Sequence, residues 1–177
     1  HGVINDGHAT SSIIGFDAMK ASFDIAIVGG GVVGLAAALM AAKNGMRIAL
    51  IEAHQPKQWQ RSQPDLRVYA LALDNQHFLE HLGVWPGIKA KRAKAYTTMT
   101  VFDEVHGQPL QFSADELGQS CLGHIVENDL IVEVLWQALS LEKNAQFFCP
   151  DRIESIVSTQ NEVELTLQSG MALNAKI

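Results

Sequence analysis

The feature that most constrains how this chain can fold is a cluster of glycines between two apolar segments. Residues 29–34 read Gly-Gly-Gly-Val-Val-Gly and fit the spacing G-x-G-x-x-G through Gly29, Gly31 and Gly34. In that motif the first glycine permits a tight turn, the second lets a pyrophosphate approach the backbone, and the third lets a helix pack closely on a sheet. The cluster therefore predicts a strand, a turn and a helix, with a phosphate site at the turn.

The segments on both sides of the cluster have the composition that this interpretation needs. Residues 23–28 form an apolar run typical of a buried parallel strand, and residues 32–44 predict an Ala- and Leu-rich helix that Gly45 ends. Residues 47–51 predict a second buried strand. The uncharged stretch 25–42 has the length of a membrane span, but each of its three consecutive glycines would cost a helix interior about 1 kcal/mol. We therefore predict two elements joined by a turn.

An acidic residue follows the second predicted strand. Glu52 lies 23 residues after Gly29 (52 − 29), near the spacing at which dinucleotide-binding folds place a carboxylate against the adenosine ribose. The helix would begin at Val32 and Val33, so its positive end would face the phosphates. The predicted dinucleotide site comprises Gly29, Gly31, Val32, Val33, Gly34 and Glu52. This pattern does not distinguish FAD from NAD, and the alternative is an ordinary helix–strand unit with a surface glutamate.

The rest of the chain predicts a polar loop at 54–65, an extended segment at 66–73, and a helix that Asp74 caps and Gly83 ends. The remaining predicted elements are strands at 95–103, 109–112 and 146–149, with a turn at Gly107, an amphipathic helix at 128–142, and an antiparallel meander of strands at 153–158, 163–168 and 171–177.

The composition argues against several classes of function. The formal net charge of −6 disfavours nucleic-acid binding, which needs a basic face. Cys121 and Cys149 are too far apart for a C-x-x-C pair, and we expect two buried or half-buried free thiols. Residues 1–22 have no steady period and are rich in small polar residues, so we expect a disordered leader, either native or added, with Met19 as a native start.

Four segments of the chain resemble the flavin monooxygenases of ubiquinone biosynthesis, relatives of para-hydroxybenzoate hydroxylase, and in particular the 2-octaprenylphenol hydroxylases. The segments are 25–52, 65–71, 82–85, and 122–128 with 135–139. The last two are more specific than the glycine cluster. The resemblance runs from about residue 23 to the end of the chain. It implies an α/β, Rossmann-like FAD-binding fold of the para-hydroxybenzoate hydroxylase type, with an antiparallel β-meander.

The resemblance also implies roles for two further residues. Arg67 matches an arginine beside the flavin and its pyrophosphate, and Asn128 matches a polar residue against the ribityl chain of FAD. A solvated arginine and a plain helix N-cap are the respective alternatives. The implied reaction uses FAD, NAD(P)H and O₂ to hydroxylate the aromatic ring of a prenylated phenol, and the catalytic residues are unknown. Other ubiquinone-biosynthesis proteins are possible partners.

Members of the resembled family are much longer than 177 residues. We therefore expect a truncated FAD-binding domain, with a piece of the substrate domain inserted at about 93–115 and the C-terminal remainder absent. Such a fragment alone should neither hold FAD tightly nor catalyse. The parent protein is expected in the cytoplasm or at the periphery of the inner membrane. Residues 122–128 resemble most the hydroxylase acting at C5, but C6 and C1 stay open, as does NADH against NADPH.

Two hypotheses of other classes remain. His77, Glu80 and His81 fit the H-x-x-E-H pattern of some zinc peptidases, with both histidines on one helix face. A non-catalytic FAD-binding redox module is the other. We predict that Trp85 and Trp136 are core aromatic residues and that His124 is a hydrogen-bonded structural histidine rather than a flavin contact.

Overall fold

A computed structural model of the chain describes residues 21–102, 107 and 109–176. The strands are β1 (Ala21–Phe23), β2 (Ile25–Val28), β3 (Ile48–Ile51), β4 (Val68–Ala72), β5 (Lys94–Tyr96), β6 (Thr98–Val101), β7 (Leu110–Ser113), β8 (Gly123–Glu127), β9 (Ala145–Phe148), β10 (Ile153–Ser158), β11 (Glu162–Leu167) and β12 (Ala172–Lys176). The helices are α1 (Val32–Lys43), α2 (Leu73–His81), α3 (Trp85–Lys91) and α4 (Asn128–Ser140), with a 3₁₀ turn at Asp115–Leu117.

A parallel sheet in the order β2-β3-β9 lies at the centre of the fold. All four residues of β3 are buried, and they alternate between two cores. Ile48 and Leu50 pack with the helices, while Ala49 and Ile51 pack against the meander. A parallel strand covered on both faces needs apolar residues at every position, which explains why β3 reads as a continuous apolar run.

The helical layer and the meander cover opposite faces of that sheet. Helices α1 and α4 contact each other, and both contribute to the larger core, of which Leu35, Leu39 and Leu135 are fully buried members. On the other face, β10, β11 and β12 form the antiparallel meander that the sequence predicted, and β1 extends it by pairing parallel to β12. The α/β class, the parallel strand–helix–strand unit and the meander are thus confirmed.

Two smaller sheets lie beside these layers. Strands β4, β8 and β5 form an antiparallel sheet in the order β4-β8-β5, which brings the start of α4 next to the loop that precedes β4. Strands β6 and β7 pair only with each other among the described residues, as an antiparallel ribbon. This ribbon lies within the segment predicted to be an insertion, and the predicted turn at Gly107 has the positive φ of a glycine turn.

Several predicted boundaries are wrong. The strand predicted at 23–28 is two strands in different sheets, with a bend at Asp24, and the first of them begins at Ala21, within the segment predicted as a leader. The strand predicted at 95–103 also divides, because β5 pairs with β8 and β6 with β7. Apolar alternation reports that a segment is extended but not which strand it pairs with.

The start of α2 and the whole of α3 also differ from the sequence expectations. Ala72 occupies the N-cap of α2 and no side chain caps it, so Asp74 is not the cap but lies in the first turn, where a negative charge favours the helix dipole. Helix α3 was not predicted, although Pro86 in its first turn is a helix-start signal. Residues 1–20 of the predicted leader lie outside the described residues.

Other expectations agree with the structure. Gly45 and Gly83 have positive φ just after α1 and α2, as glycines that end helices do. Cys121 is buried and Cys149 is half-buried, and both are free thiols. Among the described residues, no helix combines the length and apolar character needed to cross a bilayer.

Candidate functional site

The glycine cluster forms an elbow between β2 and α1. Gly29 has a φ of +110°, and its N–H donates to the carbonyl oxygen of Ile51 at 2.8 Å, which ties the turn to β3. A Cβ on Gly34 would lie 2.0 Å from the carbonyl oxygen of Gly29, so only glycine lets the helix start this close to the strand. The conformation assigned to these two glycines from the motif is therefore present.

Gly31 has a different environment. A Cβ built there would meet no atom within 4 Å, so the second glycine of the motif faces open space above the elbow. Gly31 is the N-cap of α1, and the first turn contains neither a capping side chain nor an acidic residue. An open approach to a helix N-terminus without a local carboxylate suits an anion. Val32 is half-buried and Val33 is 82% exposed at the same end.

Glu52 turns back from the end of β3 onto the elbow. Its Oε2 accepts the backbone N–H of Gly30 at 2.5 Å, and its Oε1 accepts that of His54 at 2.9 Å. Burial alone would raise the pKa of Glu52, but the N–H donors of Gly30, His54 and Ala53 outweigh it and lower the pKa below its ordinary value. The carboxylate is therefore charged, and its remaining lone pairs can accept hydroxyl hydrogens.

Gly30 is a site residue that the motif did not single out, since it occupies an x position. A Cβ there would lie 3.0 Å from Cγ of Glu52 and 3.2 Å from the ring of Trp136. The run of three glycines was the available signal, because its middle glycine, Gly30, is not required by the motif. Trp136 is half-buried, packs on the helical core and stacks against Phe147 with ring centroids 4.7 Å apart.

Arg67 and Asn128 lie opposite the elbow, in a cleft of about 480 Å³ that Gly30, Gly31 and Glu52 also line. Asn128 is the first residue of α4, not its N-cap, and its Nδ2 donates to Oδ1 of Asp129 at 2.9 Å. Its backbone N–H donates to the carbonyl oxygen of Arg67 at 2.9 Å. Gly30 and Asn128, which are 98 positions apart in sequence (128 − 30), thus line the same cleft.

The guanidinium of Arg67 points away from the core. Its side chain is 75% exposed, and its Nη2 lies 3.7 Å from Oδ1 of Asp129. A single long ion pair of this kind leaves most of the donors of the guanidinium available. Arg67 can therefore contact an anionic group in the cleft while the fold stays as it is.

A second cleft, of about 410 Å³, lies on the other side of Glu52. Gly29 and Ala53 line it together with Asp151 and Arg152 from the turn before β10. Arg152 Nη2 lies 3.0 Å from Nε2 of His54. Sequence reasoning missed this wall, since nothing in the local pattern at 151–152 connects Arg152 with His54, which lies 98 positions earlier.

The competing constellations are not assembled into sites. His77, Glu80 and His81 are exposed on α2, and Glu80 accepts a hydrogen bond from Gln76 at 2.8 Å. No group of three His, Cys, Asp or Glu side chains that could hold a metal ion occurs among the described residues. Trp85 is a buried core residue, as predicted.

His124 differs in one respect from its prediction. It packs edge-on against Trp85, with ring centroids 5.0 Å apart, but its buried Nδ1 has no hydrogen-bond partner in the described part of the chain. Burial, and secondly the charge of Lys89, lower the pKa of His124. The histidine is structural by its packing, but the hydrogen bond expected for it is absent within those residues.

The residues of the cleft between the elbow and Arg67 fit the ADP and ribityl parts of FAD. A helix N-terminus that is open at Gly31 could hold a diphosphate, the charged Glu52 could accept ribose hydroxyl hydrogens, and the amide and guanidinium opposite would supply further polar contacts. Comparison with known proteins agrees with this fit. Residues 24–63, which include the elbow and Glu52, match the family model described as FAD dependent oxidoreductase.

Relatives of known sequence extend the match over most of the chain. A 3-demethoxyubiquinol 3-hydroxylase of Escherichia coli is 34% identical over 155 residues, which cover 87% of this chain and 39% of that protein. The ubiquinone hydroxylase UbiL of Rhodospirillum rubrum is 28% identical, over 87% of this chain and 35% of its own length. The chain thus spans less than two fifths of these curated relatives.

Solved structures show the same fold. The crystal structure of p-nitrophenol 4-monooxygenase PnpA from Pseudomonas putida superposes with a TM-score of 0.70 at 22% identity, over 89% of this chain and 40% of that one. The flavin-dependent monooxygenase PieE, in complex with FAD and substrate, gives 0.66 at 17% identity, over 88% and 29%.

Residues 24–63 thus match a model of FAD dependent oxidoreductases, and the chain shares its fold with monooxygenases of known structure. Within that class, the relatives of known sequence include a 3-demethoxyubiquinol 3-hydroxylase and two ubiquinone hydroxylases.

Proposed function

We propose that the whole protein is a monooxygenase that uses FAD, NAD(P)H and O₂ to hydroxylate the aromatic ring of a polyprenylphenol in ubiquinone biosynthesis. The observation that carries the proposal is the contact of Glu52 with the elbow, in a cleft that Arg67 and Asn128 complete. The names of the relatives support the substrate class, since one acts on demethoxyubiquinol and others are ubiquinone hydroxylases.

Each site residue has a role in this proposal. Gly29 and Gly34 shape the elbow, and Gly31 with the first N–H groups of α1, at Val32 and Val33, binds the diphosphate. Glu52 holds the ribose of the adenosine. Arg67 contacts the diphosphate and the edge of the flavin, and Asn128 contacts the ribityl chain.

The flavin, when bound, supplies the chemistry of oxygen transfer, so this part of the chain needs to bind, orient and shield rather than to move protons. We propose that the segment 93–115, which contains the isolated β6–β7 ribbon, is the first piece of the substrate domain. The rest of that domain belongs to the length that the relatives have beyond this match. A prenylated substrate resides in the membrane. We therefore propose that the protein contacts the membrane periphery and other enzymes of the same pathway.

The decisive experiment is the visible spectrum of the purified full-length protein, followed by product analysis after addition of a prenylphenol and NADH or NADPH. We expect a stoichiometric flavin spectrum, cofactor oxidation that depends on the phenol, and a product one oxygen heavier. Mapping the new hydroxyl decides among C5, C6 and C1. Bound FAD without oxidation by any phenol would instead favour a redox module, and absence of flavin would refute the proposal.

The 177-residue chain by itself provides a second test. The match covers only 39% of the length of the 3-demethoxyubiquinol 3-hydroxylase, so we expect the isolated chain to bind FAD weakly and not to catalyse. Fluorescence titration of FAD with the isolated and the full-length protein measures the difference. Stoichiometric flavin and NAD(P)H oxidation in the isolated chain would contradict this expectation.

A further inference from the structure

The polar loop between β3 and β4, residues 53–67, contacts the helical layer at several points, and one of them is an aromatic side chain. Trp59 is half-buried in a loop whose other residues are mostly exposed. Its Nε1–H donates to Oε2 of Glu127, and its backbone N–H donates to Oε2 of Glu133 at 3.3 Å. Trp59 also packs against the helical core, so this apolar contact and the two hydrogen bonds together hold the loop on α4.

Glu127 is the unusual member of this arrangement. It is 5% exposed, and it is the last residue of β8. Besides the N–H of Trp59, its carboxylate accepts a hydrogen bond from Nη1 of Arg92 at 3.0 Å. A buried ion pair is often no more stabilising than apolar residues of the same volume, because both charges lose their hydration. Stability alone is therefore a weak reason for a carboxylate at this position.

Two cationic side chains also lie close to the ring of Trp59. The guanidinium carbon of Arg92 lies 5.3 Å from the ring centroid and Nζ of Lys91 lies 5.7 Å from it, within the range of cation–π contacts. Arg92 Nη2 donates to the carbonyl oxygen of Arg61 at 2.5 Å, and Arg61 Nη2 donates to that of Lys91 at 2.7 Å. We call the set of Trp59, Arg61, Lys91, Arg92, Glu127 and Glu133 the tryptophan clasp.

Both ends of the clasped loop reach the cofactor cleft. At its start, the N–H of His54 donates to Glu52. At its end, the carboxylate of Asp65 accepts the N–H of Arg67 at 3.0 Å and that of Asp129 at 3.2 Å. The buried anchor of the clasp, Glu127, is covalently joined to Asn128. Displacing Trp59 would therefore disturb the elbow side and the Arg67 side of the cleft together.

We propose that Trp59 and Glu127 are positioning residues for FAD, which set the distance between the two walls of its cleft through the loop. This inference rests on the proposed function, because it presumes that FAD occupies the cleft. It assigns the buried carboxylate to the geometry of the site rather than to the stability of the fold. Neither residue lines the cleft that contains Gly31 and Glu52, so any effect on FAD is indirect, through the loop or through Asn128.

The test uses the full-length protein and three variants, Trp59→Phe, Glu127→Gln and the double variant. Trp59→Phe keeps an aromatic ring beside the cations and removes the N–H donor together with part of the indole. We expect each single variant to raise the FAD dissociation constant about tenfold. Trp59→Phe removes the Nε1–H donor and Glu127→Gln weakens its acceptor, so the double variant should raise the dissociation constant by less than the product of the two single effects. Lys176→Met is the control, because it removes an ion pair to Asp24 at the opposite end of the sheet.

Three measurements separate the outcomes: the dissociation constant by flavin fluorescence, the visible spectrum of bound flavin, and the Tm of the flavin-free protein. The inference predicts weaker binding and an altered flavin spectrum in all three variants, also where the loss of one partner of the buried ion pair lowers the Tm. Wild-type affinity and spectrum with a lowered Tm would overturn it and leave the proposed function intact. If the wild-type protein binds no FAD, the proposed function fails and takes this inference with it.

Discussion

The elbow at 29–34 and the loop at 53–67 form facing parts of one cleft, yet they are held in opposite ways. The elbow is fixed by backbone: Gly29 bonds to β3, and the approach of α1 leaves no room for a Cβ at Gly34. The loop is fixed by side chains, chiefly Trp59 on a buried carboxylate. An added atom disrupts a close backbone contact altogether, whereas a side-chain contact can be weakened in steps. The two regions should therefore respond differently to substitution.

The largest effect that we expect is at Gly34. Gly34→Ala places a Cβ 2.0 Å from the carbonyl oxygen of Gly29, so α1 or β2 must move. We expect the free energy of unfolding to fall by about 3 kcal/mol and FAD binding to be lost, as measured by chemical denaturation and flavin titration.

Gly31→Ala is the matched control for that change. Its added methyl group meets no atom within 4 Å, so the fold should keep nearly its full stability while the diphosphate loses its approach. Equal losses of stability in the two variants would mean that the difference between the two glycines is not as described.

The next largest effect concerns the carboxylate that connects the elbow with the loop. Glu52→Gln removes the charge that accepts the N–H groups of Gly30 and His54 and, in the proposed complex, the ribose hydroxyl hydrogens. Hydrogen bonds to a charged group contribute about 1.5–3 kcal/mol, so FAD affinity should fall roughly 10- to 100-fold. Flavin titration at neutral pH measures this.

The pH dependence of stability provides an independent check on the same residue. The N–H donors lower the folded-state pKa of Glu52 despite the opposing effect of burial, so its charge stabilises the native protein above the ordinary glutamate pKa of 4.5. That contribution is lost as the pH falls through the lowered pKa. The stability difference between wild type and Glu52→Gln should therefore shrink below pH 4.5, and a constant difference would argue against the hydrogen bonds.

A smaller effect is expected on the opposite wall. Arg67→Ala removes an exposed side chain whose ion pair with Asp129 spans 3.7 Å, and surface pairs contribute about 0–1 kcal/mol, so the Tm should barely change. FAD affinity should fall up to about tenfold. Arg67→Lys keeps the charge but loses the planar fork and should recover only part of it. Unchanged affinity in Arg67→Ala would remove Arg67 from the site.

The same contrast explains what could be predicted from the sequence. The elbow was predictable because the positive φ of Gly29 and the close backbone approach at Gly34 are local requirements that the motif places at fixed spacing. Arg67 and Asn128 were placed only through family resemblance. Arg152 and Trp59 were missed, because their partners lie 98 and 68 positions away and depend on how the sheets pack.

The smallest effect is expected where a sequence motif has no structural support. His77 and His81 follow the zinc-peptidase spacing, and they lie on an exposed helix face. Since no third ligand accompanies them in the described residues, the double variant His77→Ala/His81→Ala should leave the free energy of unfolding within about 0.5 kcal/mol, as surface substitutions usually do. Metal analysis of the purified protein should find no stoichiometric zinc. Zinc at one equivalent that disappears in the double variant would contradict this. A spacing of two histidines carries meaning only when the fold supplies the remaining ligands, whereas the glycine spacing carries its own contacts.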